Sequence, residues 1–168
     1  MKNVVDRLCP NCGLCCNGVL FADVQLRKSD DAGRLAGLGL ALKKQEGKPA
    51  FAQPCACFAG QLCRIYAERP VRCRTFECGV LKRVQGGELD AGAALKTIAR
   101  AKRQVEKVRV LLRRARSDDE RLALSERYRR AMSESVDLSG GKAAAELPGI
   151  LMASYRDLMR ILQASFLK

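Results

Sequence analysis

A chain of 168 residues with 48% hydrophobic content can form one folded domain with a helical extension. Aromatics make up 5% and Trp is absent, so the core must come mostly from Leu, Val, Ile and Ala. The 31 basic and 18 acidic residues give a formal charge of +13, which points to acidic partners such as nucleic acid. The absence of His excludes Cys2His2 zinc sites and Rieske-type ligation.

The chain opens on "MKNVVDRLCP", which has early charge but neither an apolar core nor a cleavage site. The longest weakly polar run, "LAGLGLAL", is far short of the roughly 20 apolar residues that cross a bilayer. These features predict a cytoplasmic protein with no membrane attachment.

Next comes "CPNCGLCC", four thiols in eight residues, with Cys15 and Cys16 adjacent. Beyond it, "GVLFADVQL" predicts a short extended segment. Ser29 is placed to cap a short helix in "RKSDDAGRLAGLGLALKK", with Asp30 and Asp31 at its positive end. "EGKPAFAQP", with Pro49 and Pro54, reads as a connecting loop. Five more cysteines follow in "CACFAGQLCRIYAERPVRCRTFEC", Cys55 to Cys78, and "FECGVLKRV" predicts a short helix leading out.

Residues 1–84 therefore form a cysteine-rich module, and residues 85–168 a helical region. The hinge "VQGGELDAG" supplies an N-cap at Asp90. Ala94, Ile98, Ala101, Val105, Val108, Leu112 and Ala115 recur at steps of three and four, the stripe of an amphipathic helix. "SDDERLALSERYRRAMSE" restarts behind a Ser cap, with Leu124, Tyr128 and Ala131 on its face. Gly140 and Gly141 break the chain again. Leu147, Leu151, Tyr155, Leu158, Leu162 and Phe166 mark a last helix. The predicted fold class is mainly α: a small irregular metal-binding module, about three C-terminal amphipathic helices packing on it or on a partner, and little β.

The nine cysteines are an odd number, all within the first half of the chain and none after Cys78, which argues against a secreted disulfide framework. A thioredoxin-like dithiol needs a βαβ context that the sequence lacks. Cys9, Cys12 and Cys15 make C-x2-C-x2-C, a spacing shared by zinc knuckles and bacterial ferredoxins. Neighbouring side chains tend to point apart. Cys15 and Cys16 thus suit two centres, or a cluster larger than one zinc ion. The second cluster has no C-x2-C pair, so the fold must assemble its ligands; the 38 residues between Cys16 and Cys55 are enough to do so. A four-thiolate zinc centre carries −2, since bound thiols are deprotonated, so two of them would lower +13 to about +9. Zinc and an iron–sulfur cluster both fit all-cysteine ligation, and the number of centres is open.

Arg69, Arg72 and Arg74 can donate hydrogen bonds to thiolates or cluster sulfides and offset their charge. The plainer alternative is a surface ion pair with Glu68 or Glu77. Pro70 is expected to hold Arg69 out of helical geometry. Asp23 and Glu77 are the acids nearest the cysteines, and neither marks itself as catalytic.

The ordered combination of "CPNCGLCC", "PCACF" and "CRIYAERPVRCRTFEC" resembles the YkgJ-like cysteine-cluster family, the CxxCxxCC zinc- or iron-chelating domain, over roughly residues 9–80. The resemblance implies Cys9, Cys12, Cys15, Cys16, Cys55, Cys63, Cys73 and Cys78 as metal ligands. Cys57 is an extra, expected to be a small buried core residue. Some longer relatives are flagellin lysine N-methylases, but no methyl-donor site is visible here. The sequence thus predicts a cysteine-cluster metalloprotein holding zinc or an iron–sulfur cluster, structural, redox or electron-carrying. If it is an enzyme, it would be an iron–sulfur oxidoreductase or a distant methylase relative. The alternative is a zinc-stabilised basic module that binds nucleic acid or a protein partner.

Overall fold

The computed structural model describes residues 4–60, 62–133 and 141–168. The predicted break at Gly140 lies outside them. The fold is mainly α, 55% helix and 11% strand. The chain divides into two compact units, Met1–Glu77 with Glu120–Ala123, and Cys78–Asp119 with Leu124–Lys168.

The first unit is less irregular than its composition suggests. Helix α1 spans Val4–Cys12 and contains Pro10. Strands β1 (Asp23–Gln25), β2 (Leu42–Gln45) and β3 (Lys48–Ala52) form an antiparallel sheet in the order β1-β3-β2. The stretch read as a loop, "EGKPAFAQP", is therefore largely the central strand. Glu46 and Gly47 both have positive φ, 49° and 74°, and close a two-residue hairpin with Gln45 opposite Lys48. Pro49 precedes the Ala50–Ala52 stretch that pairs with β1, and its carbonyl accepts from Leu26 N at 2.8 Å.

The short helix α2, Ala32–Gly37, forms as predicted but with a different cap. Asp31, not Ser29, accepts from Arg34 N at 2.9 Å. A second hairpin joins β4 (Phe58–Ala59) to β5 (Leu62–Cys63), a single 3-10 turn covers Tyr66–Glu68, and α3 spans Val71–Thr75. Leu26, Leu35, Leu40, Phe51, Cys57 and Ile65 make one buried cluster of this unit, and Leu8, Leu14, Val19 and Ala50 are buried as well.

The second unit is built from helices. α4 (Gly79–Gln85) is followed by α5 (Ala91–Arg114), α6 (Leu124–Ser133) and α7 (Gly141–Ser165). Gly141 thus starts a helix. Asp90 caps α5 as predicted, accepting from Ala93 N at 2.9 Å. Ala94, Ile98, Ala101, Val105, Val108 and Leu112 are all buried, and α5 packs against α4, α6 and α7. Tyr128 and Tyr155 stack with ring centroids 3.8 Å apart. Ser117 does not cap α6 directly; its hydroxyl donates to Arg127 O, and its carbonyl accepts from the Nε of the buried Arg127, both at 3.0 Å. No helix among the described residues is long and apolar enough to cross a membrane.

Candidate metal centre

All nine cysteines are thiols. Cys9 and Cys12 lie in α1, one helical turn apart, so the C-x2-C spacing is helical here, not the turn of a zinc knuckle. The chain leaves α1 through Gly13 and a tight turn in which Cys16 N donates to Gly13 O at 3.0 Å. Cys15 and Cys16, both half-buried, sit in that turn.

The first cysteine segment is then tied to the second. Cys55 N donates to Cys16 O, and Gln53 N to Ala22 O, each at 2.9 Å. At this crossing Gly18 has φ +77°, and a Cβ there would stand 3.0 Å from Pro54 Cδ and 3.1 Å from Ala123 Cα. A residue without a side chain suits both the backbone and the space.

Local structure positions the remaining thiols. The β4–β5 hairpin turns the chain back so that Cys63 pairs with Phe58, and Arg64 N reaches Cys57 O at 2.9 Å. Pro70 opens α3, which carries Cys73. The N-terminus of α3 is held from outside, because Asp30 Oδ1 accepts from Val71 N at 2.8 Å while its Oδ2 accepts from Arg27 N at 2.7 Å. Asp30 thus serves α3 and not the helix it adjoins in sequence. Cys55, Cys63 and Cys73 all pack against the apolar cluster of the unit.

Cys16, Cys55, Cys63 and Cys73 come within electrostatic reach of one another. Burial pushes the Cys16 thiol from an ordinary 9.0 up to about 12, and repulsion from Cys73, Cys55 and Cys63 adds to the rise. Burial, then Cys55 and Cys63, carry Cys73 up to about 12. Burial is also the main cause for Cys55, at about 11, where a hydrogen bond from the Cys57 backbone opposes the rise. Arg69 acts against the shift at both Cys16 and Cys73.

Arg69 is held in place by Tyr66. Its guanidinium carbon lies 3.6 Å from the centroid of the Tyr66 ring, and its Nε donates to Tyr66 O at 2.9 Å. Its backbone is extended, with φ −55° and ψ 144°, as the following Pro70 requires. Arg72 and Arg74, by contrast, are exposed on α3. Glu68 pairs with Arg34, a partner the sequence did not suggest. Cys57 is fully buried in the apolar cluster, its Sγ 3.8 Å from Leu38 O. Asp23 accepts from Gln45 Nε2 at 2.9 Å. Cys78 begins the second unit as the N-cap residue of α4.

The thiols are gathered without forming a finished coordination sphere. Among the described residues no set of three Cys, Asp or Glu side chains converges closely enough to hold a metal ion. The chemistry of the four-sulfur set nonetheless fits a soft cation. Ionising partly buried sulfurs beside a single guanidinium calls for added positive charge, and zinc and iron both take four thiolate ligands.

A family model described as "CxxCxxCC: Putative zinc- or iron-chelating domain" matches residues 8–104. That span exceeds half of the 168 residues and runs past the cysteines into α5. No curated protein and no solved structure matches the chain.

Proposed function

The chain belongs to the CxxCxxCC family of zinc- or iron-chelating domains, and on that premise we propose that Cys16, Cys55, Cys63 and Cys73 hold one zinc or iron centre. The observation that carries the reading is the hydrogen bond from Cys55 N to Cys16 O at 2.9 Å, which joins the two cysteine segments, with Cys55, Cys63 and Cys73 packed against one apolar cluster. When bound, the cation supplies the positive charge that lets four sulfurs ionise in a half-buried place. Arg69 offsets part of the remaining negative charge, and Tyr66 fixes its guanidinium. Cys9, Cys12 and Cys15 are the further donors that an iron–sulfur assembly larger than one ion would use. Cys78 stands outside the four. Cys57 packs the core and binds no metal.

The test begins with protein purified without oxygen, in which zinc, iron and acid-labile sulfide are counted. At least one equivalent of zinc or iron is expected. At pH 8 the metal-free thiols of Cys16, Cys55 and Cys73 are protonated, since burial raises them to about 12, 11 and 12. Uptake of one cation by these three sulfurs should therefore release about three protons. Cys16→Ser and Cys73→Ser should each cut metal content several-fold, whereas Cys57→Ser should leave it unchanged. Full metal occupancy in both of the first two variants would remove the proposed centre.

A further inference from the structure

We propose that the solvent face of α5 is a docking surface for nucleic-acid phosphates. Lys96, Arg100, Arg103, Lys107 and Arg114 are all exposed on this helix. With each residue turning about 100° around the axis, these five fall within an arc of about 60°. The buried stripe of Ala94, Ile98, Ala101, Val105, Val108 and Leu112 lies on the opposite side. The cationic row runs from residue 96 to residue 114, about 27 Å along the axis.

A solvated helix face ordinarily mixes signs, because opposite charges at three- and four-residue steps support the helix and like charges weaken it. The row on α5 does the reverse. Lys96–Arg100 and Arg103–Lys107 are like-charged at four residues, and Arg100–Arg103 at three. The one acid of the helix, Glu106, is engaged by Arg113 at 2.6 Å. Lys96 has the cap carboxylate of Asp90 nearby. Among the described residues Arg100, Arg103, Lys107 and Arg114 have no carboxylate partner. The helix therefore carries an unrelieved row of repulsion that an external polyanion would relieve.

The form of the row selects the partner. Over about 27 Å a DNA duplex presents roughly 16 phosphates, so every cation of a straight row can find one. A membrane-surface helix needs an apolar face turned to the lipid. The apolar face of α5 is packed against other helices, and Val110, beside the cationic row, is the one exposed large hydrophobic residue of this helix. Arg and Lys placed for phosphates give affinity without reading sequence.

The experiment uses the full chain as purified, with metal content checked in each variant. Binding of a labelled 20-base-pair duplex and of a single-stranded RNA is followed by anisotropy between 50 and 200 mM salt. If five phosphates are neutralised, the log–log salt slope for the duplex should approach about −4.5. The triple variant R100E/R103E/K107E should bind at least tenfold more weakly, with a shallower slope and unchanged circular dichroism. The comparison variant K43E/K44E/K48E makes the same charge change in the first unit, at three exposed residues, and should bind within twofold of the parent. Three results would each overturn the proposal: equal weakening in both variants, no binding of either nucleic acid at 100 mM salt, or tighter binding to phosphatidylserine vesicles than to either nucleic acid. The surface lies on α5 alone, so the metal counts of the thiol variants leave it untouched.

Discussion

One buried cluster of the first unit consists of Leu26, Leu35, Leu40, Phe51, Cys57 and Ile65. It is supplied by strands of two to five residues and the short segments around them. The second unit buries long stripes along α5 and α7, helices of 24 and 25 residues, with Leu112, Leu151, Leu158 and Leu162 nearly inaccessible, as is Phe166 just after α7. Eight of the nine cysteines belong to the first unit. The difference teaches where each half finds its cohesion. Long amphipathic helices bury enough hydrocarbon to be held by packing alone. A unit of short strands and short helices has no long stripe to bury, and sulfur bound to a cation is an ordinary way for small modules to add cohesion.

The sharpest way to break that contrast is to remove the metal. Structural zinc binding is worth on the order of 10 kcal/mol in small metal-dependent modules, so its loss should dominate the first unit. Hydrogen exchange on reduced protein with and without a strong chelator is the measurement. Amides between Cys16 and Cys73 should lose nearly all protection, while those around Val105 and Leu158 keep theirs. Equal protection with and without chelator in the first unit would show that its small apolar cluster suffices.

The converse test targets the second unit. Phe166 is 1% exposed, and Phe166→Ala leaves a cavity expected to cost about 3–5 kcal/mol. Urea unfolding followed by circular dichroism should show it as a lower midpoint. Metal content should stay at the parent's value, because the residue belongs to the unit without the four thiols. A matching fall in bound metal would mean that the two kinds of cohesion are not separate.

The same contrast explains what the sequence could and could not tell. The 3.6-residue stripe of α5 was legible because it repeats over five turns, and all six of its members from Ala94 to Leu112 are buried. The three-stranded sheet was not legible. Its strands are three to five residues long, too short for an alternating pattern to stand out. Pro49 in β3 and the exposed Lys43 and Lys44 in β2 all speak for loop. The Glu46–Gly47 pair, flanked by residues able to pair, was the available signal for the hairpin. Helix α1 was missed because Pro10 and two cysteines read as a metal knuckle. Within the site, the residue types were visible and Cys57 was singled out as buried. Which thiols come together was not visible, since that depends on contacts distant in sequence: Cys55 N with Cys16 O, and Asp30 with the start of α3. The pairing of Glu68 with Arg34, which leaves Arg69 on Tyr66, is equally non-local.

The smallest expected effect concerns the cap that starts the helical unit. Asp90 is exposed, and its carboxylate accepts from Ala93 N, with Gly92 N adding to the same effect; these bonds hold its pKa below the usual 3.8. A carboxyl whose pKa is lowered on folding stabilises the fold above the unfolded value, and that contribution fades as pH falls through the folded value. The increment should therefore be intact at pH 7 and shrink below pH 4. Asp90→Ala should lower the melting temperature of metal-free protein slightly at pH 7, and by less at pH 3. Asp90→Asn keeps an acceptor of equal capping quality without the titrating charge. It should melt close to the parent at pH 3 and remove the pH dependence attributable to this position. Metal-free protein is required, because thiol protonation would otherwise release the cation over the same acid range and hide a difference of this size. If Asp90→Asn and Asp90→Ala destabilise equally at pH 7, the charge at this helix end matters and the hydrogen bond does not, and the start of α5 owes its stability to the dipole and not to the cap.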